Sequence, residues 1–320
     1  MSLQDANAIA EVDVESAEVT AVRGLGFKDH GLAGSGLDAS DRDNAVNICT
    51  WQGLYGMYQP DAISAFTRRG RTYLVSANEG DSRAADEARV GALSVSSALT
   101  PFRANQNLGR LTVNRTLGAV AGVHQELYVY GARSFSIWND SGELVYDSGD
   151  ELERIAAAFP PAPPSPIRRA APVPAAPAAT CPLAAPASPV PSPATPFNSN
   201  HEESPSFDNR SDNKGPEPEA ATLGEARGRT YAFIGLERLS GVAVYDVTDP
   251  AAPEFQSYVN RRDFAQPPAV GGVPNPAAGD LGPEGMAFVP KAQSPSREPL
   301  LVVANEVSGT TTIYELSTTK

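Results

Sequence analysis

Short stretches of alternating apolar and polar residues, separated by turns rich in Gly, Asn, Asp and Pro, run along most of this chain. Residues 8–14 alternate and residues 18–22 follow after the polar turn Glu15-Ser16-Ala17, the pattern of paired strands in a meander. Residues 111–113 read as a short strand. Residues 127–130, 134–138 and 143–146 read as a three-strand meander, with Asn139-Asp140-Ser141-Gly142 as a hairpin turn. Further strands are expected at 230–235, 241–246 and 254–259, and again at 284–289, 300–304 and 310–316, with turn sequences such as Asp246-Val247-Thr248-Asp249-Pro250 between them. Helical periodicity is nearly absent: residues 150–158 form a plausible short helix, and 84–104 is either helical or irregular. Residues 24–47 are polar and Gly-rich, and are expected to form a loop.

Three of these stretches are copies of one unit. Pro60-Asp61 precedes the apolar run that ends at Asn78-Glu79, Pro218-Glu219 precedes the run that ends at Leu236-Glu237, and Pro283-Glu284 precedes the run that ends at Asn305-Glu306. Acid follows acid at 18, 18 and 22 residues (61 to 79, 219 to 237, 284 to 306), the extra length fitting a longer turn at 291–299. Repeated groups of three or four short strands predict an all-β fold, a β-propeller, with about five full or partial blades in this chain. A β-sandwich is the alternative, although sandwiches do not usually repeat a motif at matching strand positions. In a propeller the first strand of each blade lines the central channel and the second returns antiparallel. Asp61, Glu79, Glu219, Glu237, Glu284 and Glu306 would then converge on one rim, where they repel unless a cation or basic side chains compensate. They are the candidate metal ligands, with Ca2+ the candidate ion. Arg83, Arg133 and Arg238 are candidate counter-charges, and Glu79, Arg83, Arg133, Glu237 and Arg238 the candidate catalytic set. For any single acid, accepting backbone N–H groups at a turn between blades explains the pattern equally well.

Composition narrows the picture. The chain has 320 residues, a net charge of −13 and a pI near 4.7, which argues against a nucleic-acid partner. No apolar run reaches the length of a membrane span, and the first residues, Met1-Ser2-Leu3-Gln4-Asp5, do not read as a signal peptide. Residues 159–196 are dominated by Pro and Ala without apolar periodicity, and are expected to be a disordered or polyproline-like insert between residues 1–158 and 197–320 of one domain. Cys49 and Cys181 require no disulfide framework, and Cys181 lies in that insert, unlikely to be held near Cys49. The stretches from Asp38 to Asp43 and from Asp208 to Gly215 mix Asp with Asn, Ser and Gly as calcium loops do, but miss the EF-hand spacing and read better as solvated loops. His30, His124 and His201 are scattered, without zinc spacing. Asn114-Arg115-Thr116, Asn139-Asp140-Ser141 and Asn209-Arg210-Ser211 are glycosylation sequons if the protein is secreted.

Several of these strings resemble the choice-of-anchor I family: Gly56-Met57-Tyr58-Gln59-Pro60-Asp61-Ala62, Ala77-Asn78-Glu79-Gly80-Asp81-Ser82-Arg83, the run from Gly131 to Trp138, Lys214-Gly215-Pro216-Glu217-Pro218-Glu219 and the run from Val303 to Thr311. The resemblance spans the chain apart from the Pro/Ala insert. It implies a β-propeller that is exported or held at the cell surface, and relatives described as alkaline phosphatases or as mesenchyme-specific cell surface glycoproteins. Propellers of the phytase type, which this one also resembles, bind phosphate at a calcium rim. Against the family pattern, the chain begins partway through a blade and carries the additional insert, so a fragment with exposed sheet edges is expected. Two functions follow as expectations. One is a surface or secreted binding or scaffold protein whose partner is a protein or glycan. The other is a calcium-dependent alkaline phosphatase- or phytase-like phosphoesterase acting on a phosphate ester, with an arginine on the phosphoryl oxygens and a rim glutamate as base.

Overall fold

A computed structural model describes residues 1–158 and 196–316 of the chain. The described part is all-β, with Glu151–Ala158 its one α-helix. The expected insert at 159–196 lies, but for its last residue, outside the described residues, as does Cys181. Cys49 is buried and disulfide-bonded, contrary to the expectation of a chain that needs no disulfide.

Five sheets carry the architecture. The first pairs Ser2–Leu3, Ala8–Asp13 and Glu18–Gly24, so the first expected pairing forms. A five-stranded sheet runs in the order Phe27–Asp29, Leu54–Met57, Leu127–Val129, Thr112–Asn114, Glu87–Arg89. A four-stranded sheet runs Leu144–Asp147, Phe135–Asn139, Arg71–Ala77, Ile63–Arg68; the chain leaves it after Ala77 and re-enters at Phe135. A second four-stranded sheet is a simple antiparallel meander of Pro218–Ala226, Arg229–Leu236, Val242–Asp246 and Glu254–Val259. The last sheet pairs Pro283–Val289, Leu300–Asn305 and Thr310–Glu315.

The meander expected over residues 127–146 is divided between two sheets. Leu127–Val129 pairs parallel with Leu54–Met57, whereas Phe135–Asn139 pairs with Arg71–Ala77 and with Leu144–Asp147. The cause is a turn at Gly131, whose φ of +74° an L side chain rarely adopts. A Cβ at Gly131 would stand 2.1 Å from the Glu79 carbonyl oxygen, so the two backbones cross in contact. Two other stretches also differ from expectation. Residues 84–104 hold the strand Glu87–Arg89 and two short 3-10 turns. Within the 24–47 loop lies the strand Phe27–Asp29, and Leu37, Asp38, Ala39 and Ser40 are buried.

Apolar faces meet between sheets. Phe135 and Ile137 of the split sheet pack with Ile234, Leu236 and Tyr245 of the meander sheet and with Leu152 and Ile155 of the helix. Leu37, Trp51, Leu54, Val113 and Leu127 fill the core of the five-stranded sheet, and Phe233, Val242, Leu301 and Val303 join the meander sheet to the last one. The first strands of three sheets lie side by side. Ser64 Oγ donates to the Ala221 carbonyl at 3.2 Å, and Gly224 leaves the space that the Phe288 ring fills. Ile63–Arg68, Pro218–Ala226 and Pro283–Val289 are thus neighbouring sheet edges, and their Pro-acid starts lead directly to the site.

Candidate functional site: an acidic rim

Antiparallel pairing returns each second acid to the end where the first one began. The Asp61 N–H donates to the Ala77 carbonyl (3.1 Å), Glu237 N–H to the Glu217 carbonyl (2.8 Å), and Glu306 N–H to the Gly282 carbonyl (2.8 Å). Asp61, Glu79 and Glu219, from two different sheets, place carboxylate oxygens within 4.8 Å of one another. Glu79, Glu217 and Glu237 do the same, so Glu79 links two overlapping groups, either of which could hold a metal ion. Glu284 and Glu306 stand exposed beside them and are in neither group.

Crowding these carboxyls in partly dry surroundings changes their acidity. Burial, followed by the charges of Glu79, Asp61, Glu237 and Glu284, pushes Glu219 up to about 10. Burial and then Glu217 push Glu237 up to about 8. Asp61 is raised, again chiefly by burial, and it hydrogen-bonds the Glu219 carboxyl, a contact that requires one of the two to carry a proton. Glu79 is raised by burial, which Lys214 only partly offsets. Glu284 is raised by burial and then by Glu306 and Asp61. Glu217 behaves oppositely: burial would raise it, but Lys214, Arg210 and Arg238 together hold it down at about 2.

The basic side chains are organised around Glu217. Lys214 Nζ contacts Glu79 and Glu217 (2.9 Å to the latter) and donates to the Gly80 carbonyl at 2.7 Å. Arg210 pairs with Glu217, and Arg238 lies 3.5 Å from Glu217 and 3.4 Å from Glu237. Arg238 also reaches His201 Nε2 at 2.9 Å. That nitrogen must accept, so the imidazole is neutral with its proton on Nδ1, facing the Glu237 carbonyl at 3.2 Å; burial and Arg238 lower its pKa to about 4. Gln4 Nε2 donates to the other oxygen of Glu79 at 2.7 Å. Five carboxyls, Asp61, Glu79, Glu217, Glu219 and Glu237, therefore face three cations, and Asp61 and Glu219 are the two that pair with no basic side chain among the described residues.

Of the arginines singled out by sequence, only Arg238 is in this network. Arg83 is exposed and pairs with Asp86 at 2.6 Å. Arg133 is 2% exposed and committed to Glu153 and to the carbonyls of Asp38, Ser211 and Asn213, so its guanidinium cannot fork an incoming anion. Lys214, Glu217, Arg210, His201 and Gln4 escaped sequence reasoning. The Lys214-to-Glu219 string contained a signal, since Glu217 stands two residues before the repeated acid, but nothing in the sequence shows that it is buried.

The two Asp-rich loops are not solvated. Arg110 bridges them, at 2.5 Å to Asp41 and 2.9 Å to Asp212, and Asp38, Asp43 and Asp208 gather into a third group able to hold a metal ion. No histidine belongs to any such group among the described residues.

An all-β chain with a carboxylate rim at the start of neighbouring sheet edges is the class that fold and site define. The family model of the choice-of-anchor I domain matches residues 1–163 and 190–250, and the chain belongs to that family. It is 26% identical to Gigasin-3a of Magallana gigas over 219 residues, 65% of this chain and 64% of that protein. It is also 26% identical to the mesenchyme-specific cell surface glycoprotein of Strongylocentrotus purpuratus over 263 residues, 69% of this chain and 30% of that one. The chain thus spans less than two thirds of the length of either relative. No solved structure matches it. No helix among the described residues is long and apolar enough to cross a membrane.

Proposed function

We propose that this chain is the binding domain of an extracellular or cell-surface protein. In this reading it is a propeller-type scaffold whose rim takes a divalent cation, Ca2+ by preference, and through it an oxygen-rich protein or glycan partner. One observation carries the proposal: Asp61, Glu79 and Glu219 bring carboxylate oxygens within 4.8 Å of one another with Lys214 reaching only one of them. Such a set binds either protons or a hard cation. Calorimetric titration of chelator-treated protein with Ca2+ is expected to show binding that weakens roughly tenfold or more in Glu219→Gln and in Asp61→Asn, the cost of a lost charged ligand. Identical titrations for all three proteins would exclude a rim site.

A second reading, a calcium-dependent phosphoesterase, is favoured by Arg238 lying between Glu237 and His201. Arg238 could hold phosphoryl oxygens, and Glu237 could move a proton from an attacking water. With its pKa near 8, Glu237 is mostly protonated at neutral pH and would need a bound cation to serve as base. Calcium-dependent hydrolysis of a chromogenic phosphate ester, lost in Glu237→Gln, is the result this reading requires. No turnover with calcium would leave the binding domain as the function.

A further inference from the structure

Loops 38–47 and 208–215 meet inside the molecule, and their acids fall into two kinds. Asp41 and Asp212 are paired: Arg110 reaches both, and Arg89 reaches Asp212 at 2.9 Å. Behind them Glu153 accepts from Arg133 at 2.6 Å and from the Asp38 N–H at 2.8 Å, which fixes the first loop against the helix. Asp38, Asp43 and Asp208 are different. Their carboxylate oxygens lie within 4.8 Å of one another, yet no lysine or arginine pairs with any of them among the described residues.

The group is dry. Asp38 and Asp208 are 1% and 2% exposed. Asp38 accepts only from the backbone N–H groups of Ser40 (3.2 Å) and Asn47 (2.6 Å), and Asp43 from Ala45 N–H and Asn47 Nδ2, both at 3.2 Å. Asp208 uses one oxygen, Oδ1, to accept from Ser211 Oγ at 2.5 Å. Its Oδ2 is buried without a hydrogen-bond partner, and an oxygen of the same carboxylate lies within 4.8 Å of those of Asp38 and Asp43. The amide of Asn198, on the neighbouring strand of loop, repeats the pattern: Nδ2 donates to Ser211 Oγ and Glu153, while Oδ1 is buried and unpartnered. Buried acceptors normally find donors, so the orphaned Asp208 oxygen in a group of three carboxylates without a basic partner marks a missing positive partner.

We propose that Asp38, Asp43 and Asp208 bind a hard divalent cation of the calcium type, a site separate from the rim, which ties loop 38–47 to loop 208–215. The donors are all oxygen, with no cysteine or histidine, which suits Ca2+ rather than zinc or copper. Irregular loop geometry also suits Ca2+, which accepts six to eight oxygens in varied arrangements. Its role would be structural: one ion compensates three carboxylates and locks two segments distant in sequence.

The test uses the whole chain carrying Glu219→Gln, in which the rim is weakened, so that ion binding lost on a further change in the two loops reports the second site. After chelation, this protein is expected to regain one ion per chain on dialysis against Ca2+, measured by elemental analysis, and to melt several degrees higher with Ca2+ than with chelator. Adding Asp43→Asn, at a partly exposed position, is expected to leave the fold intact by circular dichroism while weakening Ca2+ binding about tenfold or more and removing the thermal shift. Asp208→Asn should do the same. If Glu219→Gln binds no ion and its melting ignores Ca2+, the second site does not exist, whatever the rim does. If both double variants keep the ion, or if Asp208→Asn alone stabilises the protein while Ca2+ has no effect, the group holds a proton and the proposal fails.

Discussion

Lys214 shows most plainly how one residue shapes the rim: its ammonium sits between Glu79 and Glu217, so a protein cation already occupies part of the acidic surface. The acids it does not reach set the response to pH. Glu219 and Glu237 have ordinary values near 4.5 when unfolded and about 10 and about 8 when folded, so over that interval the folded state keeps protons that the unfolded chain has lost. Their stabilisation is complete below about pH 4.5 and is lost as pH rises through 8 towards 10. Glu217, held at about 2, acts in the opposite sense: its contribution is present above about 4.5 and disappears as pH falls towards 2. Calcium-free protein should therefore melt several degrees lower at pH 9 than at pH 5, in differential scanning calorimetry, and Glu219→Gln should flatten the alkaline side of that profile. A wild-type melting temperature that climbs steadily from pH 5 to pH 9 would contradict the assignment. At this scale the sequence revealed the repeated acids, because repetition at matching strand positions is a one-dimensional signal. It concealed Lys214 and Glu217, which stand outside the repeat and acquire their roles by proximity alone.

Elements were legible where pairing is local. The strands Arg229–Leu236, Val242–Asp246, Glu254–Val259 and Thr310–Glu315 form within a residue or two of their expected bounds, because alternation and turn residues lie next to one another in the chain. The region from Leu127 to Tyr146 failed in part for the opposite reason: three apolar runs in succession imitate a meander, and the crossing at Gly131 separates the first from the other two. Gly80 makes the other half of that crossing, where a Cβ would come 2.1 Å from the Gly131 nitrogen. Neither position has room for a methyl group, and both have positive φ. Gly131→Ala is expected to destabilise the protein by roughly 1–3 kcal/mol, the usual cost of imposed backbone strain, in urea unfolding. Because the crossing carries the Glu79 carbonyl, the same substitution should also weaken Ca2+ binding at the rim. Unchanged stability would mean that the two strands can separate without loss.

Across the whole molecule, the three neighbouring edges Ile63–Arg68, Pro218–Ala226 and Pro283–Val289 gather acids from distant parts of the chain into one rim, and the close fit of Phe288 against Gly224 fixes part of that alignment. The division of the split sheet has a consequence of another kind, in time rather than space. Its two central strands, Arg71–Ala77 and Phe135–Asn139, can pair only after the intervening chain, with most of the five-stranded sheet, has been brought back on itself, a closure that is entropically costly before any contact rewards it. The meander from Pro218 to Val259 needs only successive hairpins. Pulse-labelled hydrogen exchange during refolding should thus protect the amides of Arg229–Leu236 before those of Phe135–Asn139, and simultaneous protection would indicate a single concerted step. Glu237 would then be in place early while Glu79 arrives late, so the rim would come into existence as one of the last events of folding.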